Sequence, residues 1–268
     1  MLELIRPDTH FDFVGKMKAA VIASLAFILI GIASIVYHGG LNLGVDFAGG
    51  AAVQIKLLKD ASSEKLRSAL DGAKLEGSVI QQFGAAENRE FMIRTSETAA
   101  DLKLLTDRID GALSKAFGEG SYEIRRVEAV GPKVGADLSR KAILALALAW
   151  IAMLVYIGFR FEFRYAVGGI LALIHDVLVT VGVLSLLNME FTLNTVAALL
   201  TIIGFSINDT IVIYDRIREN VKKKVRSDLR QIVNTSVNET LSRTIVTSLT
   251  VFLVLVALLV LGGPVIFD

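Results

Sequence analysis

Long runs of apolar residues, broken by short polar stretches, dominate the pattern of hydrophobic and polar positions along this chain. A helix needs about 20 mostly apolar residues to cross a bilayer, and several runs approach or reach that length with almost no charged residues. The predicted spans are residues 19–37, 142–159, 166–189, 191–214 and 236–267. The pattern therefore predicts a polytopic α-helical membrane protein with five spans.

The region between the first two spans, residues 38–140, has a different pattern, in which short alternating segments and amphipathic segments follow one another. The predicted elements are a strand Ala51–Lys59, a helix Ser62–Lys74, strands Ser78–Phe83 and Arg89–Thr95, a helix Ala99–Phe117 and a strand Tyr122–Val130. This β-α-β-β-α-β order is that of the ferredoxin-like split motif, which by itself implies no chemistry. We therefore predict one ferredoxin-like βαββαβ domain.

The Lys and Arg residues of the short loops predict the orientation, because cytoplasmic loops are enriched in them. Lys16 and Lys18 precede the first span, and the stretch 215–235 after the fourth span is basic, whereas the turn after the third span carries neither residue type. The N-terminal segment, residues 1–18, is thus predicted to be cytoplasmic and the ferredoxin-like domain extracytoplasmic. The basic run Lys222–Arg226 is interpreted as a lipid-facing surface, with docking of cytoplasmic or channel partners as the alternative.

Composition supports a membrane protein and argues against several enzymatic classes. Hydrophobic residues make up 53% of the chain, and its mean hydropathy is +0.60. A net charge of +1 does not indicate nucleic acid as a partner. The sequence has no Cys, its three His residues are far apart, and it contains no phosphate-binding loop for ATP. We therefore expect no metal cluster, no bound cofactor and no enzymatic making or breaking of covalent bonds.

Asp209 is the most informative residue, because it is a carboxylate within the otherwise apolar fourth span. An ionisable group at that depth is costly unless it is paired, so it marks a function by default. We predict that it pairs with Arg243 on an adjacent antiparallel helix, with Thr247 one turn further on the same face. Burial raises the pKa of a carboxyl group, whereas a neighbouring cation lowers it. Small changes in the separation of the two side chains would therefore switch the protonation of the carboxyl group. The three residues are interpreted as a proton site, and a purely structural salt bridge is the alternative.

Two further polar sites in the spans are weaker candidates. His175 and Asp176 are adjacent in the third span and are candidates for a proton relay. Polar residues in membrane helices also join helices to one another, so helix packing is the alternative. Asn208 is a candidate supporting residue of the proton site, because it adjoins Asp209.

A glycine-containing turn follows the first span. Asp46 with Gly49 and Gly50 is interpreted as a structural turn that leads into the first strand, since glycine accepts positive φ. Contact with a substrate is the alternative interpretation of this motif.

Three stretches of the sequence resemble the SecF family of protein-export membrane subunits: Gly44–Gly50, Gly204–Thr210 with Asp215–Glu219 after it, and Leu241–Ser248. SecF is the smaller partner of SecD and belongs to the resistance-nodulation-division superfamily. The resemblance implies that the proton motive force drives assistance to preprotein translocation across the bacterial inner membrane. It also implies that Asp209, Arg243 and Thr247 form the proton pathway together with an aspartate from SecD.

The resemblance implies a set of partners and leaves alternative functions open. The implied partners are SecD in a heterodimer of related halves, the SecYEG channel, the small accessory subunit YajC, the unfolded preprotein and membrane lipid. The energy source would be the proton gradient, with no cofactor. A small-molecule or lipid exporter of the same superfamily and a passive assembly scaffold for the channel are the alternatives. The family has six spans, and the sixth should begin just after Gly262–Pro264. We expect that its absence from this sequence reflects truncation, with a natural five-span protein as the alternative.

Overall fold

A computed structural model describes residues 10–58, 63–72, 75, 78–83, 89–95, 102–161, 163–223 and 228–261. These residues form helices α1 (Phe13–Tyr37), α2 (Val45–Ala48), α3 (Ser63–Asp71), α4 (Leu102–Phe117), α5 (Pro132–Arg160), α6 (Phe163–Leu186), α7 (Leu193–Lys223) and α8 (Leu229–Leu261). They also form strands β1 (Gly50–Leu57), β2 (Val79–Phe83), β3 (Glu90–Thr95) and β4 (Tyr122–Val130). The chain divides into two compact units. The sheet unit comprises Leu43–Leu144 with Glu190–Leu193, and the helical unit comprises the rest.

The sheet unit contains one four-stranded sheet in the order β2-β3-β1-β4, and every neighbouring pair is antiparallel. Together with the chain order βαββαβ, this confirms the predicted ferredoxin-like fold. The last strand, Tyr122–Val130, has the predicted bounds, and the other elements begin or end within a few residues of the prediction. The predicted ends at Lys59, Ser62, Lys74 and Ala99 lie outside the described residues.

The core of the sheet unit lies between the sheet and the two helices α3 and α4. Leu105, Ile109 and Leu113 are fully buried and recur every four residues along α4, so they form one apolar face. On the central strand β1, Val53 faces Ile93 of β3 in the antiparallel register, and both side chains are inaccessible. The hydrophobic periodicity of the sequence therefore determines this core.

The helical unit contains five helices that are long and apolar enough to cross a membrane, namely α1, α5, α6, α7 and α8. This confirms the five predicted spans among the residues that the structure describes. Helix α7 continues to Lys223, beyond the predicted end at residue 214, and α8 already begins at Leu229. Most of the predicted loop 215–235 is therefore helical. The expected start of a sixth span, just after Gly262–Pro264, lies outside the described residues.

Helices α1 and α6 pack closely because small residues meet at their crossing. A Cβ atom added to Gly31 would lie only 2.7 Å from the Cα atom of Gly182. The Oγ atoms of Ser34 and Ser185 are hydrogen-bonded at 3.0 Å and are buried. Small residues and hydroxyl bonds of this kind replace hydrophobic burial as the means of helix association in lipid.

Candidate functional site

Helices α7 and α8 form an antiparallel pair. Polar side chains hold the C-terminal part of α7, which ends at Lys223, against the N-terminal part of α8, which begins at Leu229. Arg216 Nε donates to Glu239 Oε2 at 2.6 Å. The buried Asn220 amide donates to Ser236 Oγ at 3.0 Å and to Glu239 Oε2 at 2.6 Å. These contacts fix the register in which residues of α7 face residues of α8.

None of these four polar residues was predicted to belong to the site: Arg216 and Asn220 were assigned to a loop, and Ser236 and Glu239 were placed in the fifth span without a partner on the fourth. The lack of Gly and Pro before the fifth apolar run already places the predicted helix start near Ser236, and the same signal extends back to Leu229, where α8 begins.

The same register brings Asp209 to Thr247. The Thr247 hydroxyl lies 3.3 Å from Asp209 Oδ1, and both side chains are partly buried. That hydroxyl also lies 2.9 Å from the carbonyl oxygen of Thr244 and 3.1 Å from that of Arg243. A hydroxyl has a single proton, so its bond to the carboxylate competes with bonds to two carbonyls of its own helix. The contact with Asp209 is the longest and weakest of the three.

Arg243 does not pair with Asp209 as predicted. Across the described ranges, which contain both helices as far as Leu261, no ion pair joins the two side chains, and Arg243 is exposed. The helical register explains the difference. Between the Arg216–Glu239 and Asp209–Thr247 contacts, Arg243 falls opposite Ile213, about one turn from the carboxylate. Its side chain also tilts toward the N-terminus of α8, as helical side chains do.

Asn208 does not support the carboxylate in the way that was predicted. Its side chain is exposed, and it has no hydrogen-bond partner within the part of the chain that the structure describes. Adjacent residues of a helix point in directions about 100° apart, so chain neighbours of Asp209 do not share its face.

His175 and Asp176 on α6 form part of a polar network that spans three helices. His175 Nδ1 lies 2.9 Å from Asp176 Oδ1, and its Nε2 is hydrogen-bonded to the Ser24 hydroxyl on α1. The Ser206 hydroxyl on α7 donates to Asp176 Oδ2 at 2.5 Å. Sequence reasoning found the His-Asp pair but missed both serines, because serine is common in helix packing and carries no signal of its own.

The glycine turn begins with α2, a single helical turn, and is followed by two residues of positive φ, Gly49 at 74° and Gly50 at 106°. Only glycine takes such values without strain. A Cβ atom at Gly49 would also meet the Cα atom of Pro132 at 3.0 Å. Asp46 of this turn accepts a hydrogen bond at 2.9 Å from the backbone N–H of Leu193, the first residue of α7. Asp46 therefore caps that helix.

The segment Glu190–Leu193, which precedes and begins α7, forms several contacts within the sheet unit. Phe191 forms a parallel bridge with Leu43, and its carbonyl accepts from Gly44 N at 3.0 Å. Arg94 Nε of β3 lies 2.9 Å from Glu190 Oε1. Burial raises the pKa of Glu190 above its ordinary value, and the Arg94 guanidinium only partly opposes this effect. The segment is thus anchored by backbone hydrogen bonds, an ion pair and a helix cap.

Comparisons with known proteins agree with the fold. The family described as "Protein export membrane protein SecD/SecF, C-terminal" matches residues 110–268, and the "SecD/SecF GG Motif" matches residues 36–57. Protein translocase subunit SecF of Magnetococcus marinus is 49% identical over 100% of this chain and 86% of its own length. Protein translocase subunit SecF of Escherichia coli O157:H7 is 40% identical over 89% of this chain and 74% of its own length.

Solved structures show the same relationship. The crystal structure of SecDF from Thermus thermophilus, a translocon-associated membrane protein, matches with a TM-score of 0.86 and 36% identity, over 98% of this chain. SecDF in a super-membrane-facing form matches with a TM-score of 0.66 and 37% identity, over 97% of this chain. In both cases this chain spans only 35% of the SecDF chain.

The fold defines a multi-span membrane protein with a ferredoxin-like domain. With these matches, the chain belongs to the SecF branch of the SecD/SecF family of protein export membrane proteins.

Proposed function

We propose that this chain works with SecD in the bacterial inner membrane and uses the proton motive force to assist preprotein translocation. Asp209 is the proton-binding group, Thr247 is its hydrogen-bond partner, and Arg243 is the cation that acts on both from one turn away. Membership of the SecF branch supports the process, and the position of Asp209 supports the energy source. An ionisable side chain within a membrane-crossing helix is retained at a considerable energetic cost.

The observation that carries this proposal is the contact between Asp209 and Thr247 across α7 and α8. A structural salt bridge would place a cation against the carboxylate, whereas here the contacting group is an uncharged hydroxyl that has other acceptors within reach. A carboxylate without an ion-pair partner changes its charge more readily when a proton arrives, because no attached cation holds it in the ionised form. This arrangement suits reversible protonation.

Protonation would change the contact at identifiable atoms. The ionised Asp209 only accepts, so the Thr247 hydroxyl donates its proton to Oδ1. A protonated Asp209 can itself donate a hydrogen bond to the oxygen of the Thr247 hydroxyl. That hydroxyl then donates its own hydrogen bond to the Thr244 carbonyl oxygen, 2.9 Å away. Each proton uptake would thereby exchange one hydrogen bond between α7 and α8 for another and remove one charge from the helix pair. We propose that this exchange is the local step that alternates the two states of the subunit.

Arg243 has a distinct role in this scheme. Arg243 lies one helical turn along α8 before Thr247, so its guanidinium adds a positive charge to the helix pair without an ion pair to Asp209 among the described residues. Proton binding at Asp209 would therefore weaken the attraction between the two side chains and allow α7 and α8 to shift.

The partners and the orientation are also part of the proposal. This chain spans 35% of the SecDF chains, which supports SecD as a partner that supplies a related half. The SecYEG channel and YajC are further proposed partners, with unfolded preprotein as the substrate. Lys16 and Lys18 before α1 support a cytoplasmic N-terminus and an extracytoplasmic sheet unit.

Replacement of Asp209 by Asn tests the proposal, because Asn keeps the shape and removes only the titrating charge. Asp215→Asn is the matched control: it makes the same change on α7, at a residue that lies outside the Asp209–Thr247 contact. In inverted membrane vesicles, we expect Asp209→Asn to abolish the part of preprotein translocation that an uncoupler removes in wild type. The control should retain it, and both variants should co-purify with SecD.

The same experiment separates the alternatives. Full response of Asp209→Asn to the gradient would contradict the proposal and favour a passive scaffold. If deletion of the chain stopped efflux of an amphipathic dye and left preprotein translocation unchanged, the chain would instead be an exporter.

Two further variants, Arg243→Lys and Thr247→Ala, test the roles assigned to these residues. We expect Arg243→Lys to reduce gradient-driven translocation more strongly than Thr247→Ala does, because Lys lacks the planar guanidinium and can give up its proton.

A further inference from the structure

A second polar network lies in the helical unit, apart from the Asp209–Thr247 contact. It begins at Ser24 on α1, passes through His175 and Asp176 on α6, and ends at Ser206 on α7. Each member is hydrogen-bonded to the next, and all four side chains are partly buried. Three helices thus meet at one His-Asp pair.

The hydrogen bonds determine which protonation states this network accommodates. Asp176 faces the Ser206 hydroxyl on Oδ2 and His175 Nδ1 on Oδ1, so two donors serve its two oxygens and the ionised form is satisfied. His175 Nε2 faces the Ser24 hydroxyl, which can donate to a neutral imidazole or accept from an imidazolium. The pair therefore takes up one proton without breaking a hydrogen bond, and its charge changes from −1 to 0.

Along α7, the network lies close to the site already described. Ser206 and Asp209 are three residues apart on α7 and so are neighbours on the surface of that helix. The side chains that contact the His-Asp pair from α1 and α7 are the uncharged Ser24 and Ser206. Among described residues, the nearest charged group along α7 is Asp209 itself. A charge change at one site will therefore be felt at the other.

We propose that His175 and Asp176 form a second proton-binding site, which exchanges its proton with Asp209 through the Ser206 hydroxyl. The proton moves from the Asp209 carboxyl to Ser206 Oγ, and at the same time the proton already on Ser206 moves to Asp176 Oδ2. The serine thus gains one proton and loses one. The transferred proton stays on Asp176 Oδ2, because His175 Nδ1 already carries a proton and donates it to Oδ1; proton uptake by the ring itself takes place at Nε2, which faces the Ser24 hydroxyl. This inference rests on the proposed function, in which Asp209 carries the proton.

Two other roles for the network are less consistent with its geometry. The Ser–His–Asp order of contacts is that of serine hydrolases, but Ser24 lies in the middle of α1. Backbone N–H groups in a helix interior are already bonded, so none is free to form an oxyanion hole. Simple helix packing requires one hydroxyl bond, as between Ser34 and Ser185. It does not require a His-Asp pair with donors on both carboxylate oxygens.

Proton binding can be measured at His175 itself, because the chain has only three histidines. We would label the full chain with ¹⁵N-histidine, place it in lipid bilayers and follow the ring nitrogens from about pH 5 to about pH 9. His175→Gln identifies the signal. We expect that signal to titrate, and we expect Asp209→Asn to lower its midpoint by about half a pH unit or more, because a nearby negative charge favours the imidazolium.

The exchange step is tested by the rate of gradient-driven translocation. Ser206→Ala should reduce the rate about tenfold or more, and Ser206→Thr, which keeps the hydroxyl, should restore it. Ser34→Ala is the matched control for Ser24→Ala, since both serines join α1 to α6. We expect Ser24→Ala to shift the pH profile of translocation and Ser34→Ala to leave it unchanged.

Each outcome has a clear meaning. A His175 signal that does not change with pH would overturn the second site. Equal effects of Ser24→Ala and Ser34→Ala, or full activity of Ser206→Ala, would overturn the exchange and leave only helix packing. These results would not affect the main proposal, because that proposal fails only if Asp209→Asn keeps its response to the gradient.

Discussion

The sheet unit and the helical unit of this protein are held together by different interactions. In the sheet unit, a contiguous cluster of aliphatic and aromatic side chains is almost inaccessible, and it includes Ile55, Ile93, Leu105 and Ile109 at 0–1% exposure. In the helical unit, many large apolar side chains are exposed, as in the last turns of α8. Beside a few buried aliphatic residues such as Leu173 and Leu199, its close contacts are made by glycine, serine and charged or amide side chains.

The difference follows from the solvent of each unit. Burial of apolar surface stabilises a fold in water by roughly 25 cal/mol per Å². That gain disappears between helices whose outer surface already lies in hydrocarbon, so close packing and polar contacts specify their arrangement. One consequence concerns the candidate site: the contact between Asp209 and Thr247 lies on the same helix pair that Arg216 and Glu239 hold in register.

The largest expected effect is in the core of the sheet unit. Residues 40–135 expressed alone should fold with mixed α and β circular dichroism, because the core cluster lies within them. Ile93→Ala should lower the free energy of unfolding of this fragment by about 2–5 kcal/mol, as for other large-to-small core changes. Val79→Ala on β2, at a half-exposed residue, should cost less than about 0.5 kcal/mol. Urea denaturation measures both, and similar losses at the two positions would show that the core is not the main source of stability.

The helical unit should respond instead to added volume at its closest contact. Gly31→Ala places a methyl group against the backbone of Gly182 and should cost about 1–3 kcal/mol, as overpacking does, or separate α1 from α6. Gly204→Ala adds the same group on α7, where the added Cβ would meet no other helix within 4 Å in the described part of the chain, and should be tolerated. Thermal unfolding of the full chain in detergent gives the comparison. If the two variants unfold alike, close packing of small residues does not organise these helices.

The smallest expected effect is a pH dependence of the sheet unit. The Tyr122 hydroxyl lies 2.6 Å from Asp110 Oδ1, and burial together with that carboxylate raises the pKa of Tyr122 from 10.0 to about 12. Between these values the unfolded chain loses a proton that the folded chain retains, so stability falls as pH rises. The contribution should be about 1 kcal/mol or less, the size of one hydrogen bond.

Denaturation midpoints between pH 9 and about pH 12 provide the test. Wild-type fragment should lose stability more steeply than Tyr122→Phe, which has no phenolic proton. Parallel curves for the two proteins would mean that Tyr122 ionises equally easily in the folded and unfolded states, contrary to the hydrogen bond with Asp110.

Much of the fold could be predicted because it depends on local periodicity. The alternation in Tyr122–Val130 and the four-residue repeat of Leu105, Ile109 and Leu113 each determine an element and its buried face. Helix ends were less well predicted: the charges from Asp215 onward suggested a loop, although α7 continues through them. Those charges are accommodated because Arg216 and Glu239 pair across the two helices, and such pairing is invisible in either segment alone.

The candidate site, like the fold, could be predicted only in part. The sequence by itself determined that a carboxylate lies within a membrane-crossing helix, and that Arg243 and Thr247 lie on one face of the next. Only the tertiary structure decided that Thr247 contacts Asp209 and that Arg243 does not, and that Ser24 and Ser206 complete the network of His175. The physical reason is that helical periodicity specifies which residues share a face, whereas rotation and register between helices depend on side chains far apart in the chain.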